Sequence, residues 1–169
     1  MIPAGAVLMS SRSGAGEILC SPQRRAAVAY LVSIGGPLER PPASMRTIPS
    51  RLRLVFDDVV TEEQGGPSRD DIERLVRFAK RIDFNKGCVL VHCQAGIGRS
   101  SAAALVTLST VLGPGHEHEA AEYVLRENPR AIPNRRILEL GDDILGSGSC
   151  LLKAWAAIGG PAASHRTIG

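Results

Sequence analysis

An apolar strand that leads through a glycine-containing turn into a helix is the feature that most constrains the fold. Residues 88–91 form an apolar run bounded by Gly87, which is typical of a buried central strand. Residues 100–112 are mostly small and apolar and are followed by Gly-Pro-Gly, as expected for a buried helix. The residues between these two elements must therefore make a tight turn.

Apolar runs alternate with helical patterns along the rest of the chain. Further strands are predicted at 6–9, 28–34 and 52–56, and the third of these is followed by Asp57 and Asp58. Helices are predicted from a cap at Ser68 to Arg81, from Glu117 to Glu127, and from Pro133-Asn134 to Leu145. This order predicts a three-layer α/β fold with a central, mostly parallel sheet of four or five strands flanked by helices.

Length and composition place the chain among soluble globular proteins. It has 169 residues, of which 44% are hydrophobic and 22% are charged, so intrinsic disorder and fibrous classes are excluded. We expect one domain over residues 1–158 and a flexible tail over residues 159–169. The formal net charge of +3 indicates neither a nucleic-acid partner nor a membrane partner.

The positive charge is concentrated in the first third of the chain. Residues 1–56 contain seven Arg and two Glu, a net charge of +5. This excess either attracts an anionic substrate or is solvated surface charge, and we take the second interpretation.

The sequence favours a cytoplasmic location. The first basic residue is Arg12, so no signal peptide is predicted, and the longest apolar stretch, residues 102–112, is too short to cross a bilayer. The four cysteines form no CxxC pair, and Cys88 and Cys93 should lie on opposite faces of one strand. His116 and His118 are two residues apart at a helix start, so their rings should diverge and no metal site is predicted.

The turn after the central strand has the composition of an anion-binding nest. Gly96 and Gly98 permit positive φ angles, and the helix that follows contributes the partial positive charge of its N-terminus. Arg99 adds a planar fork of donors suited to two phosphate oxygens. The same field favours the thiolate form of Cys93, which makes it a candidate nucleophile.

The segment from His92 to Ser100, HCQAGIGRS, matches the HCx5R(S/T) signature of the cysteine-dependent protein tyrosine and dual-specificity phosphatases. The chain therefore resembles that superfamily, and its short length resembles the compact dual-specificity and prokaryotic members. Weaker likeness extends from Leu52 to Leu140 and includes the strand before Asp57-Asp58 and the stretch Arg130-Ala-Ile-Pro-Asn134. The resemblance implies a phosphotyrosine phosphatase-like fold of the dual-specificity type.

The resemblance also implies a two-step reaction without metal or other cofactor. Cys93 would form a phosphocysteine, and Ser100 would stabilise its sulfur as leaving group. The phosphate oxygens would be held by Arg99 and by the backbone N–H groups of Gln94, Ala95, Gly96, Ile97, Gly98 and Arg99. His92 would hold the turn through hydrogen bonds, and Asn134 would serve as a helix cap or loop anchor.

An aspartate on a separate loop should act as the general acid. Asp57 and Asp58 both follow a predicted strand, 36 and 35 residues before Cys93 (93 − 57 and 93 − 58). We favour Asp58, which is farther from the strand end, and both residues remain open to a purely structural role in a turn.

Three functions compete on this basis. The first is hydrolysis of phosphotyrosine, with phosphoserine and phosphothreonine as further substrates. In this case we expect a monomer whose turn also binds phosphate, sulfate or vanadate. The second is a phosphoinositide or RNA 5′-phosphate phosphatase, which the uncharged Gln94, Ala95 and Ile97 disfavour. The third is a non-catalytic phosphopeptide-binding module, which would have no need of a nucleophile at Cys93.

Overall fold

A fully parallel sheet forms the centre of the computed structural model, which describes residues 1–163. Within those residues it has four strands, β1 (Val7–Ser11), β2 (Val28–Gly35), β3 (Ser50–Val55) and β4 (Cys88–Cys93). Their spatial order is β1-β4-β2-β3, with parallel pairing throughout. Residues 164–169, the end of the predicted tail, lie outside the described residues.

The central position of β4 explains its composition. All six residues of β4 are buried, because β1 and β2 pair with its two edges and helices cover its faces. A strand buried on both faces has no polar alternation, which is the pattern seen at residues 88–91. Since all four strands are parallel, their carboxyl ends meet at one edge, and the segments that follow Ser11, Gly35, Val55 and Cys93 converge there.

Helices cover both faces of the sheet. One face carries α1 (Arg12–Cys20), and the short helix α2 (Pro22–Arg25) packs beside α1. The other carries α3 (Arg69–Ala79), α4 (Arg99–Leu112), α5 (Glu117–Glu127), α6 (Arg135–Leu145) and α7 (Cys150–Ala157). Helix α4 is buried from Arg99 to Ser109, and it packs against α3, α5 and α6. The predicted three-layer α/β architecture is confirmed.

Most predicted helices have the expected bounds. Helix α5 spans Glu117–Glu127 as predicted, and α6 begins at Arg135 after an N-cap in which Asn134 accepts a hydrogen bond from Ile137 N. Ser68 caps α3 in a capping box with Asp71, although this helix ends at Ala79, two residues before the predicted end.

The sequence reasoning missed α1, α2 and α7. Helix α1 contains Gly14 and Gly16, which lower its intrinsic helix propensity, so no helix was indicated there. It forms because the Ser11 side chain caps its N-terminus and because Ala15, Ile18 and Leu19 are buried against the sheet. Tertiary packing therefore outweighs local propensity in this segment.

The start of the predicted flexible tail makes a specific contact. Trp155 in α7 is 2% exposed, and its Nε1 donates a hydrogen bond to Pro161 O at 2.7 Å. Gly160 lies against the same indole, where a Cβ atom would come within 2.6 Å of the ring. Residues 159–161 are therefore packed against the domain. Between Met1 and Ala163, we find no helix with the length and apolarity that crossing a membrane requires.

Candidate active site

Cys93 is the last residue of β4 and is 1% exposed. Its Sγ accepts a hydrogen bond from Gly96 N at 3.2 Å and lies 3.3 Å from Ser100 Oγ. Ser100 belongs to the first turn of α4, so the strand–turn–helix connection folds the chain back over the sulfur. The thiol thus faces the N-terminal end of a fourteen-residue helix, where the partial charge is positive.

The carbonyl groups of the turn are hydrogen-bonded from outside by other parts of the chain. Asn128 Nδ2 donates to Gly96 O at 2.9 Å. Backbone N–H groups provide three more bonds of this kind: Arg12 to Gln94 O at 3.3 Å, Ile132 to Ile97 O at 3.1 Å and Asn134 to Gly98 O at 3.2 Å.

These outer hydrogen bonds fix the direction of the turn's amides. In a planar trans peptide the C=O and the following N–H point in opposite directions. The carbonyls of residues 94, 96, 97 and 98 point outward, so the N–H groups of residues 95, 97, 98 and 99 point toward the inside of the turn. Together with the N-terminus of α4, they form a nest of donors for a tetrahedral anion.

The two glycines of the turn are required for different reasons. Gly96 has φ +75°, and a Cβ atom there would lie 2.6 Å from Ser11 N and 2.7 Å from the carbonyl carbon of Ser10. Gly98 has φ −96°, so the expectation that both glycines supply positive φ angles is wrong for Gly98. Here the absence of a side chain makes room for the Asp58 carboxylate, with which a Cβ atom would collide.

Arg99 is 5% exposed and is held by two acceptors from other loops. Its Nη1 donates to Glu39 Oε2 at 2.9 Å and to Phe56 O at 2.9 Å, and its Nη2 donates to Glu39 Oε1 at 3.4 Å. Arg99 Nε has no hydrogen-bond partner within residues 1–163. The guanidinium is therefore oriented from behind and keeps donors for a bound oxyanion.

Glu39 is a site residue that the sequence reasoning missed. It follows the Gly-Gly-Pro turn after β2, and its Oε2 accepts a hydrogen bond from Gly36 N at 2.6 Å. Burial raises the pKa of Glu39, but the hydrogen bonds from Arg99 and Gly36 outweigh it, so the pKa lies below its usual value. A signal was present, because Glu39 is one of only two acids among seven arginines in residues 1–56.

Asp58 is braced by Asn134. Asn134 Nδ2 donates to Asp58 Oδ1 at 2.8 Å and to Val59 O at 3.2 Å. Asn134 also caps α6 and binds Gly98 O through its backbone, as already described. Through these contacts Asn134 connects the Asp58 loop, the turn and α6.

Asp57 makes different contacts from Asp58. Its backbone N–H donates to Gly65 O at 2.8 Å, and its carboxylate lies against Gly36 and Gly65. The two neighbouring aspartates therefore occupy different surroundings, and Asp58 is the one whose carboxylate contacts the turn at Gly98.

His92 does not make the hydrogen bonds that the sequence reasoning assigned to it. The ring is 1% exposed, and neither Nδ1 nor Nε2 has a hydrogen-bond partner among the described residues. Burial lowers the pKa of His92 to about 4; the nearby backbone of Cys93 acts against this shift, and the positive charges of the arginines at 53, 12 and 99 add to it. The ring is thus a neutral packing element beneath the turn at neutral pH.

The structure also shows the surroundings of the two histidines at the start of α5 and of the two cysteines in β4. His116 Nδ1 lies 3.3 Å from Glu119 Oε2, whereas His118 Nε2 lies 3.4 Å from Glu122 Oε1, so each ring pairs with a different carboxylate. Residues 1–163 contain no cluster of three or more His, Cys, Asp or Glu side chains suited to a metal ion. Cys88 packs in the smaller core on the α1 face and Cys93 in the larger core, on opposite faces of the sheet as predicted.

Comparisons with known proteins find similarity to phosphatases, as the sequence of the turn did. Residues 44–110, from the segment before β3 into α4, match the family model described as "Polymorphic toxin system, DSP-PTPase phosphatase". Human dual specificity protein phosphatase 16 is 33% identical over 67 residues, and rat dual specificity protein phosphatase 15 is 35% identical over 68 residues. Over about 40% of its length the chain is therefore similar to the cysteine-dependent protein tyrosine and dual-specificity phosphatases.

The extent of the likeness differs between sequence and fold. Each curated relative matches 40% of this chain, and the match spans only 10% of the human protein and 28% of the rat protein. The fold match is nearly complete: the crystal structure of DUSP15 has a TM-score of 0.63 at 20% identity, covering 94% of this chain and 93% of that one. The crystal structure of PTPMT1 in complex with PI(5)P has a TM-score of 0.61 at 17% identity, covering 91% and 95%.

The buried His92 should make stability depend on pH. Because the folded pKa of about 4 is below the ordinary value of 6.5, the folded state binds fewer protons, and stability falls as pH drops below 6.5. We expect a loss of about 2 kcal/mol between pH 7.5 and pH 5 from this residue. Urea unfolding of the wild type and His92→Gln at both pH values measures it. Equal pH dependence of the two proteins would contradict the assignment.

Asn128→Asp should weaken anion binding by the turn. The substitution replaces the donor to Gly96 O by a carboxylate, which repels that carbonyl and adds negative charge beside the nest. We expect roughly tenfold weaker binding of inorganic phosphate by calorimetry. Gln23→Glu, at an exposed position in α2, is the charge-matched control and should bind like the wild type. An unchanged affinity of Asn128→Asp would show that the outer hydrogen bond does not shape the nest.

Proposed function

We propose that this chain hydrolyses phosphotyrosine in protein or peptide substrates, with phosphoserine and phosphothreonine as further substrates, through a phosphocysteine intermediate and without a metal. The observation that carries the proposal is the position of Cys93 Sγ beneath a turn whose amides at residues 95 and 97–99 face inward. A nucleophile beneath a phosphate nest is what covalent phosphoryl transfer requires.

In the first step the Cys93 thiolate attacks phosphorus in line with the leaving oxygen. The S–P bond forms, the P–O bond to the leaving group breaks, and protonated Asp58 gives its proton to that oxygen. Arg99 Nε and Nη2 and the inward amides bind the equatorial oxygens. They stabilise the charge that develops in the transition state, and they need no reorganisation because Glu39 already orients the guanidinium.

In the second step Asp58, now a carboxylate, takes a proton from water as the water oxygen attacks phosphorus. The S–P bond breaks and the sulfur leaves as a thiolate. Ser100 Oγ lies 3.3 Å from that sulfur, within reach for its hydroxyl to donate a hydrogen bond to the departing thiolate. Inorganic phosphate is released and Cys93 is ready for another cycle.

A protein substrate is favoured over a phosphoinositide or an RNA 5′-phosphate. The side chains of the turn, at Gln94, Ala95 and Ile97, carry no charge that would select a highly charged substrate. The matching family is described as a phosphatase of a polymorphic toxin system, and we propose a phosphoprotein target in that setting. A purely binding role fits less well, because phosphopeptide recognition needs neither the thiol nor the braced Asp58.

Cys93→Ser should abolish turnover and leave phosphopeptide binding intact, because a hydroxyl at this position is a poor nucleophile but the nest is unchanged. The wild type should hydrolyse an aryl phosphate in the presence of a metal chelator and be inhibited by vanadate. We expect the rate of the variant to fall at least roughly a thousandfold in a phosphate-release assay. Cys20→Ser, at an exposed cysteine remote from the turn, is the control and should keep full activity. Substantial turnover by Cys93→Ser would exclude covalent catalysis by this residue.

Asp58→Asn should lower kcat by about 100-fold or more with little change in KM, because proton transfer is lost while binding is retained. The loss should shrink for aryl phosphates with acidic leaving groups, which depart without a proton. Asp57→Asn is the matched control, since its carboxylate lies against Gly36 and Gly65. A larger kcat effect and leaving-group dependence for Asp57→Asn would reverse the assignment.

A further inference from the structure

A pocket opens at the amino ends of the strands, the edge of the sheet opposite to the turn after β4. It encloses about 370 Å³, within the size range of small-molecule sites. The buried part of its lining includes Tyr30 and Phe78, whose rings meet edge to face with centroids 6.3 Å apart. Tyr30 pairs in register with Val89, four positions before Cys93 (93 − 89), which is about 13 Å along the strand. The pocket is therefore separate from the candidate active site.

The exposed part of the lining is positively charged. It includes Arg51, Arg81 and Lys86, and no Asp or Glu belongs to the lining. None of these three cations has a carboxylate within ion-pair distance among residues 1–163. Asp83, the acid nearest to Arg81 and Lys86 in sequence, accepts hydrogen bonds from Asn85 N and Nδ2 instead. The charge of the pocket is therefore not neutralised by the protein.

This lack of partners is not a general property of the arginines on and near α3. Arg69, Arg74 and Arg77 each form an ion pair with an acid of the same helix. Arg81 follows Arg77 by four positions, just after the helix ends, and it is the arginine of this group that lines the pocket. Acids are thus present beside the arginines of the helix surface and absent where the chain turns into the pocket.

Two of the cations are held in position by neighbouring groups. The guanidinium of Arg81 lies over the Phe78 ring, 5.5 Å from its centroid, and Arg51 Nη1 donates to Ile48 O at 3.1 Å. A guanidinium has five N–H donors, so both groups keep donors for a ligand, and Ser50 adds a hydroxyl to the same lining. Side chains that are already positioned lose less conformational entropy when an anion binds.

We propose that this pocket binds the diphosphate group of a soluble small molecule, such as a nucleoside diphosphate. A diphosphate group carries about three negative charges at neutral pH, which matches the three cations. The cations come from three separate segments around one compact cavity, an arrangement that suits a compact polyanion better than an extended acidic peptide. The planar donor forks of the two arginines fit pairs of phosphate oxygens. The inference is independent of the proposed phosphatase function, because the two sites share no residue.

Calorimetry with ADP, inorganic pyrophosphate, AMP and adenosine, in buffer without divalent metal, tests the pocket. We expect ADP and pyrophosphate to bind at least roughly tenfold more tightly than AMP or adenosine. Arg81→Glu should weaken the binding of ADP at least about tenfold and leave turnover of a small aryl phosphate unchanged. Lys86→Glu, at an exposed position, should have the same effect, and it replaces Arg81→Glu if thermal unfolding shows that loss of the Phe78 contact disrupts the fold.

Arg46→Glu is the matched control, since it makes the same charge change at an exposed position outside the lining and should bind ADP like the wild type. Equal ADP affinity of the pocket variants and Arg46→Glu would assign the binding to another site and overturn the proposal. Equal affinity for ADP and AMP would overturn the diphosphate as the ligand. Tighter binding of a polyglutamate peptide than of ADP would also overturn it, and so would binding only to vesicles that contain phosphoinositide bisphosphates.

Discussion

The site depends on the outward hydrogen bonding of the turn's carbonyl groups. A peptide whose carbonyl is bonded on the outside presents the next N–H to the inside, and four such peptides make an anion nest without any charged side chain. The outer donors come from the start of α1, from Asn128 and from the segment between α5 and α6. Distant parts of the chain must therefore be folded before residues 94–99 can present their amides to the inside of the turn, which explains why so short a motif needs a whole domain around it.

The pairing of Arg99 with Glu39 is the second requirement. A buried guanidinium is costly unless it is paired and hydrogen-bonded, and here Glu39 and Phe56 O meet that cost while leaving Nε for an oxyanion. The same ion pair fixes the loop after β2 against the turn, so one interaction both orients the guanidinium and anchors that loop. Asn134 holds Asp58 in a similar way, because its side-chain amide donates a hydrogen bond to the Asp58 carboxylate.

Much of the fold followed from local patterns. The buried strand, the helix that follows it and the helices at Glu117–Glu127 and Arg135–Leu145 have strong apolar periodicity, clear caps or clear stops, and they were predicted well. Helix α1 was not, because its two glycines weaken the local signal and packing on the sheet supplies the stability. His92 was misjudged for a related reason: its residue type suggests hydrogen bonding, whereas the ring is buried and neither ring nitrogen has a hydrogen-bond partner within residues 1–163.

The sequence by itself determined the candidate nucleophile Cys93, the candidate phosphate-binding Arg99 and the turn between them, because these lie within nine consecutive residues whose spacing permits very few geometries. Only the tertiary structure decided which aspartate contacts the turn at Gly98 and which acid holds Arg99. Three of the residues around the turn precede Cys93 by 35 to 81 positions (93 − 58 and 93 − 12): Asp58, Glu39 and Arg12. The fourth, Asn134, follows Cys93 by 41 positions (134 − 93). These residues come close to the turn because the parallel strands end at one edge of the sheet. No local sequence pattern specifies which segments meet at that edge.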